Sequence, residues 1–298
     1  MIAGLSQAQT APPSGSITVT LLGTGSPILS TSRFGPATLV EAGGLRLLFD
    51  AGRGSSIRLG QLKIPLGSIH AVFLTHYHSD HVSGLPDLWM SSYLRGPSMS
   101  RAAPLHVYGP IGVTAMSEHM RAAFADDIRI RMADELVPEE ATRVIAHEFP
   151  EAGGVVFEQA GVRVTAFSVN HGAKFHPAVG YRIDYYERSV LLSGDTTVEP
   201  NIVRHGAGVD LLVHKVCTPP PGMENDPSVG RVVNHHVSPE QAGTIFAATK
   251  PRHAAFTHFV LLTRPTSPVP VSLSELEART RTTFDGPLTL GEDLSDLR

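Results

Sequence analysis

The chain has 298 residues and a formal net charge of -4, from 24 Lys and Arg against 28 Asp and Glu. Its 15 His stand beside a single Cys, which excludes an intramolecular disulfide framework and any multi-thiolate zinc site. The faint acidity, with only four lysines (Lys63, Lys174, Lys215, Lys250), argues against an overall electrostatic grip on nucleic acid. No apolar run approaches the roughly 18 residues of a membrane-spanning helix, so no membrane partner is expected.

In chain order, residues 1–15 (MIAGLSQAQTAPPSG) carry no core pattern and are expected to be disordered. Their small residues resemble a signal cleavage region, without the charged and apolar stretches that precede one. The reading places export with a trimmed signal ahead of a cytoplasmic chain with a frayed terminus. Residues 16–298 are expected to form one α/β domain. Short apolar runs at 17–23, 37–42, 45–52, 71–76, 105–109, 143–149, 162–169, 179–184, 189–195, 210–216 and 253–259 predict strands. The near-continuous apolar character of 45–52 and 71–76 predicts strands covered on both faces. Helices are predicted near 84–95, 111–125, 197–205, 239–249 and 272–283. Thr196-x-x-Glu199, Ser238-x-x-Gln241 and Ser272-x-x-Glu275 offer capping-box starts to the last three. Segment 218–235, rich in Pro, Gly and Asn/Asp, predicts an irregular loop, and such loops in compact domains are often functional.

The densest chemical signal is His76-Tyr77-His78-Ser79-Asp80-His81, after the apolar run AVFLT and before Gly84-Leu85-Pro86. Alternate residues of an extended segment share a side, so His76 and His78 can grip one ion. A turn into a helix then re-aims Asp80 and His81 towards a second position. Imidazole and carboxylate donors suit zinc, with manganese or iron as alternatives.

This H-x-H-x-D-H segment resembles the signature of the metallo-β-lactamase superfamily, which implies a four-layer αβ/βα sandwich. Further matches keep the family's order: Leu22 to Pro27, Phe49-Asp50-Ala51-Gly52, Val169-Asn170-His171, Gly180-Tyr181-Arg182-Ile183, Ser193-Gly194-Asp195-Thr196, His236 to Gly243, and Phe256-Thr257-His258-Phe259. They resemble the ribonuclease Z-like branch and cover roughly 17–260. The resemblance implies two divalent metal ions. His76, His78 and His171 would hold one, Asp80, His81 and His258 the other, and Asp195 would bridge them. A metal-bridging hydroxide would then attack an ester. Asp80 could exchange a proton with that nucleophile, and His236 is the expected acid, with His235 as its competitor. Asp50 is expected to orient a ligand imidazole. Tyr181, His214 and Lys215 are further candidates for the pocket or its supporting layer, and Lys174 and His176 lie close enough in sequence to His171 to be considered with them.

Two departures bear on the substrate. The branch's tRNA-processing members carry a long arm between the Gly-Tyr-Arg-Ile motif and the next strand, where this chain has only residues 184–188. They also carry Glu where this chain has Lys215. The expectation is therefore a dinuclear hydrolase of a small phosphodiester or sulfate ester, of the arylsulfatase or phosphodiesterase kind. Lys215 and Arg231, if near the pocket, would favour an anionic substrate. Lactonase or phosphotriesterase activity is the alternative, with tRNA 3′ endonuclease and β-lactamase ranked below. The retained His78 and the chain length argue against flavodiiron oxidoreductases of the same fold, and the intact ligand set argues against a non-catalytic role. Nucleic acid is not the expected partner, and a homodimer is expected from the family's habit.

Overall fold

The computed structural model describes residues 15–96, 99–220, 222–223, 226–264 and 267–297. Of the segment 1–15 expected to be disordered, residues 1–14 lie outside those described. In chain order the strands are β1 (Thr18–Gly23), β2 (Ala37–Ala42), β3 (Leu45–Phe49), β4 (Ala71–Phe73), β5 (Leu105–Pro110), β6 (Val144–Phe149), β7 (Gly153–Gln159) and β8 (Val162–Ser168). They continue with β9 (Val179–Tyr185), β10 (Arg188–Leu192), β11 (Leu211–Thr218), β12 (His253–Leu261), β13 (Thr263–Arg264), β14 (Ser267–Pro270), β15 (Leu288–Leu290) and β16 (Ser295–Leu297). The helices are α1 (Ser55–Gln61), α2 (Ser79–Val82), α3 (Leu85–Ser92), α4 (Val113–Ala123), α5 (Ala125–Asp134), α6 (Pro200–Gly206), α7 (Pro227–Val233), α8 (Pro239–Thr249) and α9 (Leu273–Arg281).

Two seven-stranded sheets run in the orders β16-β1-β2-β3-β4-β5-β6 and β15-β12-β11-β10-β9-β8-β7. Each has an antiparallel part and a parallel part. In the first, β3 to β6 run parallel, and in the second β10, β11, β12 and β15 do. A core between the sheets joins Val19, Val40, Leu47 and Phe73 to Val164, Tyr181, Ile183 and Val213. The outer face of the first sheet packs on helices through Leu59, Leu88, Trp89 and Met120. That of the second packs through Ile202, Ile245, Phe246 and Leu276. The layers run helix, sheet, sheet, helix: the αβ/βα sandwich the sequence leads one to expect.

The parallel strands carry the site because their carboxyl ends point to one side, where α/β sheets commonly bind ligands. Several boundaries differ from the sequence reading. β3 stops at Phe49, β4 at Phe73 and β10 at Leu192, each short of the predicted end. The following residues leave the ladder to present side chains. The predicted helix near 197–205 starts later, at Pro200, and Glu199 rather than Thr196 caps it by accepting from Asn201 N. Thr196 turns its hydroxyl to backbone carbonyls instead. The Ser238/Gln241 capping box forms in full. Within 218–235, β11 runs to Thr218 and α7 occupies Pro227–Val233, so the segment is less irregular than its composition suggests. Strand β7 and helices α1 and α5 carry too little periodic apolar pattern to have been read.

Candidate metal centre

After β4 the chain bends at Thr75, and His78, in extended conformation, becomes the N-cap of the one-turn helix α2. This switch of backbone separates the two pairs of the motif. His76 and His78 meet with Nε2 and Nδ1 3.0 Å apart, while Asp80 and His81 turn inward on α2 and are buried. His171, between β8 and β9, brings its Nε2 to 3.2 Å from His78 Nδ1. Asp195 follows β10 after Gly194, whose φ is +61°; a Cβ there would stand 2.4 Å from the Val179 carbonyl oxygen. Only glycine lets the chain turn this close to β9.

His258 sits at a β-bulge. The β11–β12 register pairs Lys215 with Thr257 and Val216 with Phe259, leaving His258 unpaired with φ +45°. An extra residue re-aims its side chain out of the ladder. Asp50, just past β3, also lies in the left-handed region, at φ +57°. Such conformations are uncommon for non-glycine residues and concentrate at functional sites.

The ligand atoms fall into two groups, His76/His78/His171/Asp195 and Asp80/His81/His258, each within 4.8 Å of one another. Asp195 lies between them: Oδ2 is 3.6 Å from His171 Nε2 and 3.5 Å from His258 Nε2, and Oδ1 is 3.5 Å from His81 Nε2. Asp80 Oδ2 stands 3.3 Å from His258 Nε2 and 3.7 Å from His81 Nε2.

Neighbouring oxygens set the tautomers. Asp50 accepts from Thr75 N at 2.9 Å and from His81 Nδ1 at 2.7 Å. The Thr75 hydroxyl donates to Asp50 Oδ2 at 2.9 Å and is free to accept from His76 Nδ1 at 3.0 Å. The His235 carbonyl accepts from His171 Nδ1 at 3.1 Å. Each of these imidazoles thus keeps its proton on Nδ1 and turns the Nε2 lone pair to the centre. Burial pushes the His171 imidazole down to about 3, with Lys215 adding to the effect. Burial also holds His76 well below its usual range and lowers His78.

These donors fit divalent cations. The His78 nitrogen stands 3.0 and 3.2 Å from those of His76 and His171, close to the edge of about 3.3 Å that a tetrahedron of 2.0–2.1 Å bonds requires. Asp80 Oδ2, His81 Nε2 and His258 Nε2 are buried without hydrogen-bond partners, a costly state that a shared cation would relieve.

The other sequence candidates separate. Asp50 reaches a ligand imidazole, as expected. Tyr181 does not: it is fully buried, and its hydroxyl donates to the Leu74 carbonyl at 2.5 Å, bracing the chain that leads to His76. His214 also turns away. Leu211 and Val213 of β11 face the inter-sheet core, Leu212 and Val216 the helical layer. By this alternation His214 meets Phe246 of α8, and Lys215 faces inward. Lys215 is buried, with Nζ 3.2 Å from Asp195 Oδ2. His235 and His236 both line the cleft before the ligands. Arg231, Lys174 and His176 are exposed, and His176 pairs with Glu151. Thr75 and Phe175 were not read from sequence. Thr75 links Asp50 to His76, and Phe175 packs on His78 and His171 with ring centroids 4.9 and 5.1 Å away. The one available signal was the place of Thr75 directly before the motif.

Residues 45–259 match the family model described as Beta-lactamase superfamily domain. The chain belongs to the metallo-β-lactamase superfamily. Within this superfamily its relatives place it in the ribonuclease Z-like branch. It is 34% identical over 280 residues to a protein named Ribonuclease Z from Mycobacterium sp. (strain KMS), covering 93% of this chain and 94% of that one. Among solved structures, human tRNase Z, short form, superposes with a TM-score of 0.67 at 22% identity, covering 94% of this chain and 98% of that one. A diphosphatase from the PhnP family superposes at 0.63 with 19% identity, covering 95% and 98%. At these identities the two structures share the superfamily's fold with this chain.

Proposed function

We propose that this metallo-β-lactamase superfamily protein is a dinuclear metal-dependent hydrolase of small phosphodiesters. The observation that carries the reading is the convergence of six nitrogen and oxygen ligands on two positions with Asp195 between them. Two divalent ions bound there, zinc by donor chemistry, supply an activated water at neutral pH and positive charge against the ester oxygens. Asp80, whose carboxyl is held below its usual range by His258 against the opposing effect of burial, stays ionised to take a proton from the attacking water. His236 lines the cleft beside the ligands. Burial, and then Lys215, hold its imidazole well below the usual range. It therefore meets the leaving oxygen as a neutral hydrogen-bond donor, a contribution that counts more for poorly leaving alkoxides than for activated phenolates.

The relatives' name favours phosphodiester over sulfate ester cleavage and also supports a second reading, tRNA 3′ processing. Against that reading, Tyr185 pairs with Arg188 across a two-residue hairpin turn where an arm would emerge. Lys215 also stands where those enzymes carry an acid. A panel on one metal-loaded batch tests this: bis-aryl phosphate, aryl sulfate, phosphotriester, lactone and pre-tRNA. The diester is expected to be cleaved fastest, and pre-tRNA cleavage as the leading activity would replace the proposal with the second reading. His236→Ala is expected to slow alkyl leaving groups about 10²-fold and p-nitrophenyl esters far less. An equal loss on both would remove His236 from the leaving-group role.

A further inference from the structure

We propose that the diester cleaved at this centre carries an apolar aryl or branched-alkyl substituent, held by the apolar part of the cleft lining beside the ligands. The inference rests on the phosphodiesterase reading and names its substrate class.

The cleft is a cavity of about 380 Å³, within the range that holds small ligands. Part of its lining is the chemistry: His78, Asp80, His171, Asp195 and His258, with His235 and His236 beside them. Ser26 apart, the rest of the lining is apolar: Pro27, Ile28, Phe175, Val232, Val260 and Leu262. These six come from separate places: the loop after β1, the His171 loop, α7, and the end of β12 and just beyond. Ile28 is 60% exposed. Large apolar side chains gathered at the rim of a reactive cleft are explained when an apolar ligand covers them.

Charge points the same way. Among the described residues no Lys or Arg lines this cleft. The inward-facing Lys215 is buried against Asp195 and does not line it. A nucleic-acid strand presents several phosphates, and its binding sites answer with basic side chains along the path. A single reacting phosphate would be met here by the ions these ligands hold, and among the described lining residues no cationic side chain awaits a second. Apolar area therefore supplies the discrimination, and one ring in place of a methyl group is worth at least about tenfold.

The test uses two diesters with one leaving group, p-nitrophenyl phenyl phosphate and p-nitrophenyl methyl phosphate, on the full chain loaded with zinc or manganese. The phenyl ester is expected to have a kcat/KM at least tenfold higher. In the Ile28→Ser, Val232→Ser double variant the ratio is expected to fall below threefold, with metal content and melting temperature showing that the fold is kept. A ratio near one in the unsubstituted protein, a ratio untouched by the double variant, or preference for a dinucleoside monophosphate would overturn the proposal. If neither diester is turned over, the phosphodiesterase reading fails separately. Calorimetric binding of phenylphosphonate against methylphosphonate then decides: tenfold tighter binding of the phenyl compound supports the apolar lining, and equal binding removes it.

Discussion

Asp50 and Thr75 do for the centre what the ligands cannot do for themselves. A free imidazole can protonate on either nitrogen and rotate; these oxygens fix both choices for His81 and His76. Asp50→Asn keeps the shape but removes the charged acceptor, so metal affinity is expected to fall about 10–100-fold with little change in fold. Competition with a chromogenic chelator measures this, and unchanged affinity would make Asp50 a folding residue only. The ligands themselves were legible because H-x-H-x-D-H crowds four donors into six residues. Tyr181 and His214 could not be placed from sequence, for the opposite reason. The direction of each depends on which face of its strand meets which layer.

At the scale of elements, short strands and tight turns position the chemistry. β3, β4 and β10 stop early so that Asp50, His76 and Asp195 stand beyond the ladder. β12 keeps going and instead inserts His258 as a bulge. A further constraint is the close approach of Gly52, in the loop after β3, to the first turn of α2. A Cβ on Gly52 would stand 2.5 Å from the Asp80 carbonyl oxygen and 2.4 Å from Gly35 C. Both are backbone atoms, so the loop must move. Gly52→Ala is therefore expected to cost about 1–3 kcal/mol of stability and to lower metal content, because Asp50 and Asp80 flank the contact. Melting temperature and metal analysis of the variant check this; full occupancy at unchanged stability would show that the loop yields freely. Sequence exposed the strand cores and the Ser238 cap because these are local patterns. It missed the bulge and α7, which depend on pairing and packing.

For the whole molecule, burying so many imidazoles couples folding to pH. In metal-free protein, burial first of all lowers His76, His78, His171, His214 and His236. His81 goes the other way: burial opposes its charged form, but Asp50 and Asp195 together outweigh it and raise it. A lowered imidazole is neutral in the folded state, so the unfolded chain takes the proton first as pH drops below about 6.5. Its stabilisation is full above that value and is lost as pH falls towards the folded value. The raised His81 stabilises in the reverse sense, most fully at low pH. Five groups outweigh one between pH 7 and 5, and the buried aspartates begin to count only near pH 4 and below. Chelator-treated protein is therefore expected to melt at a lower temperature at pH 5 than at pH 7. An equal or higher melting temperature at pH 5 would show that the His81–Asp50 pair dominates.

By itself the sequence determined the donor atoms, their order along the chain and the apolar strands that deliver them, since these are written in local spacing and composition. It also showed the missing arm as five residues between two strand patterns. Only the tertiary structure decided that Lys215 faces Asp195 while His214 faces a helix, because strand alternation has no sign until the layers are packed. Only it joined Ile28, Phe175, Val232 and Leu262 into one apolar lining beside the ligands. Contacts between residues so far apart in sequence leave no local pattern, and they arise when two sheets close on a common core.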